Sequence, residues 1–376
     1  MILNITSVIP EIKIKIELLC YGVQRNDIVE EIYKIQNPYN QRRTGNIGIQ
    51  LLIGQNKFPV NIPAFNRYTE RSPYKIVREG SSYFVQIDNN VNLTPVFLIK
   101  TPIWYNEKVA DDKMAANYLL QEGTSTLIAS ITETCNYAKR KNACAFCAIT
   151  SDNYKPQKLR KQNLLNALKV ALSNDEYFYQ SINLTGGNNS TSNRGIESYK
   201  PYVEFIRTYS KIPICIELSP PSDLNTINEL VHLGVTSFMM NIEIWDEKLR
   251  KVFMPAKSSI SRFDYIKAWE RAVELVGVGN VSSVIIIGLE NEASVLNCVG
   301  EMINLGVIPS VMPLRPNDGT LLENFLITQP NLVFQLTIKI AKILKQHSIE
   351  IPVSSGCIGC GACAAENDVL RNIDKF

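Results

Sequence analysis

The spacing of apolar positions changes character once along the chain. From residue 1 to about 120 the apolar residues come in short pieces, KIKIEL at 13–18, IGIQLLIG at 47–54, YFVQI at 83–87 and PVFLI at 95–99, separated by Gly, Pro and Asn turns. Short runs bounded by turn residues predict strands, so residues 1–120 are expected to form a mixed, strand-rich N-terminal domain. From about Thr124, β-branched apolar runs alternate with longer amphipathic stretches. That alternation is the pattern of βα units around a parallel sheet. The predicted strands are TLIASI (126–131), SINLTG (181–186), IPICIEL (212–218), TSFMMNIEI (236–244), SSVIIIGL (282–289) and VIPSVMPL (307–314). Helices are predicted over 160–173, 195–209, 222–233, 261–277, 290–304 and 329–347. Six such units fit a partial (β/α)6 TIM-type barrel over residues 121–347 better than a closed eightfold one.

Composition narrows the class. A chain of 376 residues can bury a large core, and 45% hydrophobic with 20% charged residues is ordinary for a globular protein. The formal charge of +3 gives no general drive toward nucleic acid or membrane. The N-terminal stretch is interrupted by Glu11, Lys13, Lys15 and Glu17, unlike the core of a signal peptide, and no long uncharged apolar run follows. The expectation is a cytoplasmic α/β enzyme with no nucleic-acid or membrane partner.

Nine cysteines sharpen this, because six of them form two tight triplets. A reducing compartment disfavours disulfides, so close CxxC spacing points to metal or cluster ligation. Cys20, Cys215 and Cys298 stand alone and read as buried small hydrophobes. Cys135, Cys144 and Cys147 follow the first barrel strand directly, with eight and two residues between them, at the strand end where barrel folds build active sites. Three thiolates can hold three irons of a [4Fe–4S] cluster and leave the fourth iron open for the amino and carboxylate groups of S-adenosylmethionine (SAM). A zinc site would want a fourth ligand nearby, and the only histidines, His232 and His347, are distant in sequence. The second triplet, Cys357, Cys360 and Cys363, lies among glycines in a C-terminal segment over 348–376. It is expected to hold an auxiliary [4Fe–4S] cluster; a structural zinc, or a cluster completed by a lone cysteine such as Cys298, are the alternatives.

The first triplet with Phe146, LTGG at 184–187, IIIGLEN at 285–291 and MPLRPNDGT at 312–320 together resemble the radical SAM superfamily, nearest its biotin synthase-like branch, over about residues 124–345. RSPY at 71–74, CNYAKRKNACAFCAI, LRKVFMP at 249–255 and GCIGCGAC at 356–363 resemble more closely the radical SAM family encoded in a bacterial nitrilase-containing gene cluster. The superfamily's usual cysteine spacing is shorter, and the extra residues here include Lys139, Arg140 and Lys141. These cations either raise the potential of an anionic cluster or form a solvated basic loop.

The resemblance implies roles. Gly186 and Gly187 match the backbone that binds the SAM amino group, with Asn188 where an acidic residue is common. Glu217, Glu243 and Arg250 correspond to positions that meet the SAM ribose and methionine moiety; a surface ion pair is the alternative for Glu243 and Arg250. Gly288 and Leu289 resemble the segment lying along adenine, and Arg315 and Thr320 would face the barrel mouth where a small carboxylate substrate is gripped. Tyr137, Phe146 and Trp245 are expected to pack and exclude water. The implied activity is reductive cleavage of SAM to a 5′-deoxyadenosyl radical and hydrogen abstraction from a small metabolite, with an external donor such as a flavodoxin or ferredoxin. Sulfur insertion at the auxiliary cluster, or radical rearrangement or oxidation of a nitrogen-containing metabolite, would complete the reaction. A non-catalytic iron–sulfur electron carrier or zinc-binding module is the contrasting class.

Overall fold

The structure is a computed structural model that describes residues 10–39, 47–88, 90–110, 113–132, 134–138, 142–150, 161–174, 177–189 and 193–376. The chain opens with two helices, α1 (Pro10–Tyr21) and α2 (Asp27–Gln36). Five strands follow, β1 (Gly48–Ile53), β2 (Phe58–Pro63), β3 (Tyr74–Glu79), β4 (Ser82–Ile87) and β5 (Val91–Leu98), in an antiparallel sheet of order β2-β1-β5-β4-β3. The strand-rich N-terminal region is therefore present, with one correction. KIKIEL is not a strand; it lies inside α1. Its alternation mimics a strand because α1 is buried on more than one side. Ile12, Ile16 and Cys20, spaced four apart, join the main core, while Ile14, Leu18 and Leu19 join the core beneath the N-terminal sheet. A helix wedged between two cores is apolar nearly all round and loses its 3.6-residue signature.

A short hairpin, β6 (Lys108–Ala110) with β7 (Lys113–Met114), leads to the main sheet. This sheet has seven strands in order β14-β13-β12-β11-β10-β9-β8. In it β8 (Leu120–Glu122) runs antiparallel to β9 (Thr126–Thr132), and the parallel strands continue through β10 (Ser181–Gly186), β11 (Ile214–Glu217), β12 (Ser237–Met239), β13 (Val281–Ile287) and β14 (Ile308–Pro313). Each parallel strand pairs with the next in sequence, and the curled sheet remains an open partial barrel. Residues such as Leu127, Ile182, Leu184, Ile214 and Ile216 pack in the main core, whereas Ile128, Glu217 and Met312 line an interior cavity. The two-residue alternation of a strand separates these sets.

The connecting helices are α3 (Lys161–Leu172), α4 (Lys200–Tyr209), α5 (Asn225–His232), α6 (Glu247–Phe253), α7 (Arg262–Val276), α8 (Glu292–Asn304) and α9 (Pro330–Gln346). Their starts are coded locally. Asp246 accepts from the N–H groups of Lys248 and Leu249, Ser261 and Asp264 form a capping box, Asn291 accepts from Ser294 N–H, and Pro330 stands in the first turn of α9. The extra helix α6 interrupts what sequence spacing places in a single βα connection.

After α9 the chain turns back beneath the barrel through a single turn, α10 (Cys357–Cys360), and α11 (Glu366–Arg371). Ile358, Ala365 and Val369 join the main core. Lys15 of α1 is fully buried and ties this segment down, donating to Gly361 O at 2.7 Å and to Asp368 at 2.5 Å. A buried ammonium is tolerable only with such partners. Among the described residues, no helix is long and apolar enough to cross a membrane.

Candidate functional site

Cys135 follows the end of β9, and the loop it begins is stitched to two neighbours. Asn136 N–H donates to Asn188 O at 2.8 Å, Ala145 N–H to Phe253 O at 2.7 Å, and Ala256 N–H to Asn142 O at 3.1 Å. Lys139, Arg140 and Lys141 lie outside the described residues. Gly187, just past β10, leaves no space for a side chain: a Cβ there would fall 2.3 Å from Thr134 O and 2.6 Å from Cys135 Cβ. Gly186 is less confined, its nearest neighbour being Thr132 Cγ2 at 2.8 Å. Burial pushes the Cys147 thiol up to about 11 and raises Cys144 further, with Lys257 pulling Cys144 the other way and the thiols reinforcing one another. Buried thiols so raised become good ligands only when a cation takes the place of their protons.

A cavity of about 350 Å³ fills the half-barrel. Its wall is shaped by the chain after β12, where the predicted strand 236–244 stops at Met239. Asn241 is the physical reason. Its Oδ1 accepts from Val284 N–H at 3.0 Å, so a side chain replaces a ladder carbonyl, and its Nδ2 donates to Glu217 Oε1 at 2.7 Å. Glu243 then takes a left-handed φ of 61°, rare for a residue with a side chain, and is clamped to β13 by Val284 O and Ile286 N–H. Its carboxylate receives Lys257 Nζ at 2.7 Å on both oxygens, and the same Nζ reaches Asn241 O at 2.9 Å. Burial raises the Glu217 carboxyl, opposed by the Thr185 hydroxyl and by Lys257. Glu217, Glu243 and Phe146 of the first triplet's loop all line the cavity.

The second triplet lines the same cavity. Cys357 Sγ accepts from Asn183 Nδ2 at 3.0 Å, and Cys363 Sγ from Asn61 Nδ2 at 3.8 Å. Gly123, with φ 56°, faces Cys360: a Cβ would come within 2.8 Å of its Sγ. Burial, then Glu122, pushes the Cys360 thiol up to about 12. None of the nine cysteines is in a disulfide. Among the described residues no three His, Cys, Asp or Glu side chains group as a site for one metal ion. Each thiolate of a four-iron cluster takes its own iron, so such donors stand further apart than around one ion. Three soft thiols on glycine-flanked backbone, two of them facing the amide N–H groups of Asn61 and Asn183, fit an iron–sulfur cluster.

Of the other expected site residues, Arg315 lines the cavity and Arg250 and Thr320 do not. Arg250 is fully buried, with its guanidinium donating to the carbonyls of Ile242, Ile244 and Ile260 and stacked over Tyr265. This departs from a role in gripping the SAM carboxylate or in a surface pair: the carbonyls freed where β12 breaks off need a donor. Thr320 is buried and bonds Asn317 O, so it holds its own loop and does not line the cavity; Arg315 does line it. Gly288, at φ 111°, and Leu289 end β13, where Thr328 Oγ1 donates to Ile287 O. Trp245 lies under the Arg262 guanidinium. Cys298 sits on α8 with its Sγ toward Met302, and the lone cysteine beside the second triplet is instead Cys215, against Gly356.

Sequence reasoning passed over Lys257 and three asparagines, Asn61, Asn183 and Asn241. Asn61 interrupts the otherwise apolar strand FPVNIP, Asn183 stands between Ile182 and Leu184 in SINLTG, and Asn241 interrupts MMNIEI. A buried amide in a strand interior costs free energy unless bonded, so these interruptions were a legible signal.

Residues 129–299 match the family model of the radical SAM superfamily. A bacteriochlorophyllide c C-7(1)-hydroxylase from Chlorobaculum limnaeum is 27% identical over 124 residues, 32% of this chain and 30% of the hydroxylase. The crystal structure of methylornithine synthase matches with a TM-score of 0.50 at 17% identity, covering 65% of this chain and 70% of that one; at that identity the likeness is one of fold.

Proposed function

We propose, from the match of residues 129–299 to the radical SAM superfamily model and the [4Fe–4S] cluster and SAM that the match implies, that this chain is a cytoplasmic enzyme that removes a hydrogen atom from a small metabolite held in the half-barrel. One observation carries the reading: Phe146 from the first triplet's loop, the carboxylates of Glu217 and Glu243, and all three C-terminal cysteines line a single cavity. An electron carrier has no need of such a chamber.

Cys135, Cys144 and Cys147 would hold the cluster, which with bound SAM and an electron from a flavodoxin or ferredoxin supplies the 5′-deoxyadenosyl radical. The protein's own part is placement. Gly187 lets the backbone after β10 pass against Cys135. Asn241 fixes Glu217, and Lys257 fixes Glu243, so two carboxylates are set as acceptors for hydroxyl and ammonium groups without free rotation. Arg315 offers the cavity a guanidinium for a substrate carboxylate. Met239, Val284, Ile286 and Met312 give it an apolar wall that excludes water. The C-terminal triplet would hold a second [4Fe–4S] cluster, and its place on the cavity wall favours sulfur insertion over rearrangement or oxidation of a nitrogen-containing metabolite.

The test is anaerobic reconstitution followed by iron analysis and measurement of 5′-deoxyadenosine under a strong reductant. About eight irons per chain are expected for two four-iron clusters. Cys144→Ala should abolish 5′-deoxyadenosine, while Cys360→Ala should retain uncoupled cleavage. Equal loss in both variants would contradict the division of labour, and no product from a fully loaded first cluster would sink the enzyme reading.

A further inference from the structure

Two buried amides converge on the second triplet from opposite parts of the fold. Asn183 stands in the middle of β10, paired with Cys215 on one side and Ile128 on the other, and is fully buried. Asn61 stands in β2 of the N-terminal sheet at 2% exposure. Each presents its Nδ2 to a cysteine sulfur, at 3.0 Å to Cys357 and 3.8 Å to Cys363. Each leaves its Oδ1 buried without a hydrogen-bond partner. Asn61 is held in place by its backbone, whose N–H donates to Ala362 O at 2.8 Å.

These amides are poor investments for stability alone. A buried carbonyl without a partner costs stability, and a leucine of similar volume would bury apolar atoms instead. What an amide offers that leucine lacks is an N–H directed at sulfur. Hydrogen bonds to the sulfurs of an iron–sulfur cluster disperse negative charge and stabilise the reduced state more than the oxidised one.

Resting on the reading that Cys357, Cys360 and Cys363 hold a cluster, we propose that Asn183 and Asn61 are positioning residues that raise the reduction potential of that second cluster, Asn183 more than Asn61. The pair also makes that potential depend on the N-terminal sheet, because one donor belongs to the sheet and the other to the barrel. The step concerned is a one-electron change of the cluster, with the electron supplied by the external donor.

The experiment is a redox titration of the reconstituted full-length enzyme followed by electron paramagnetic resonance, with the two clusters distinguished because SAM should perturb only the first. Wild type, Asn183→Leu, Asn183→Asp and Asn61→Leu are compared, with iron content and the thermal midpoint of the cluster-free protein measured in parallel. At a fixed poise, Asn183→Leu should lower the reduced-to-oxidised ratio of the second cluster about tenfold, equivalent to about 59 mV for a one-electron couple. Asn183→Asp should lower it further, and Asn61→Leu less, while the first cluster stays unchanged. The leucine variants should not lower the cluster-free thermal midpoint. Full iron loading with unshifted potentials would overturn the proposal and leave the two-cluster reading intact. About four irons in the wild type would overturn that reading and the proposal with it. Loss of second-cluster iron in all three variants would assign the amides to scaffolding and overturn the tuning role.

Discussion

The closest approach in the site concerns Gly187, and replacing it with alanine tests the placement of the first triplet. The Gly187 backbone lies outside the left-handed region, so alanine is permitted by its own conformation and the penalty is steric. The new Cβ would meet Thr134 O at 2.3 Å, Cys135 Cβ at 2.6 Å and Cys135 Cα at 2.9 Å, whereas ordinary contact begins at 3.4 Å. Two of these three are backbone atoms and the third is the rigid root of a cysteine, so relief requires Cys135 to move by about 1 Å. Overpacking of this kind costs about 1–3 kcal/mol in stability. A displacement of about 1 Å at a reacting centre costs roughly 10²-fold in rate. The expected result is loss of iron from the first cluster and about a hundredfold fall in 5′-deoxyadenosine formation, with second-cluster iron retained. Gly186→Ala is the control, because its tightest contact is a threonine methyl at 2.8 Å that can turn aside. If Gly187→Ala keeps full iron and a wild-type rate, the reasoning that ties β10 to the first ligand is wrong.

Further outcomes follow from the same geometry. Burial pushes the Glu366 carboxyl from 4.5 up to about 7, opposed mainly by its hydrogen bond from Val311 N–H. The folded state therefore holds this proton more tightly than the unfolded chain does. Its contribution to stability is full below about pH 4.5, declines as pH rises, and is lost above about pH 7. At about 1.4 kcal/mol per pH unit the whole change is about 3 kcal/mol, and Glu366→Gln should flatten the profile of thermal midpoint against pH between 5 and 8. Arg250→Met should strand the carbonyls of Ile244 and Ile260 and cost about 3 kcal/mol without changing the KM for SAM; a raised KM at unchanged stability would return Arg250 to the ligand site. Gly300 lies in α8 with nothing within 4 Å of an added Cβ, so Gly300→Ala should raise the thermal midpoint through about 0.5–1 kcal/mol of helix propensity.

The amino-acid sequence by itself determined whatever depends on neighbours along the chain. Hydrophobic period placed β10 at Ser181–Gly186 and brought α7 and α9 to within a residue of their observed ends. Cysteine spacing marked both triplets, because cysteines close together on one short segment can be read without knowledge of the rest of the fold. KIKIEL failed because its environment, two cores on two sides, is invisible to local periodicity. The setting of Arg250 was not legible because its partners are backbone carbonyls, at Ile242 and Ile244 past the end of β12 and at Ile260 before α7, and sequence shows residue types without showing which backbone groups lack a ladder. Tertiary structure alone decided that Phe146 of the first triplet's loop and the whole second triplet line one cavity, and that the second triplet is reached by distant donors. Asn61 and Cys363 are 302 positions apart, Asn183 and Cys357 are 174 apart, and Lys15 closes on Gly361 across 346. Such meetings are set by how the N-terminal sheet, the open barrel and the returning tail pack around α1, and no spacing within a single segment encodes them.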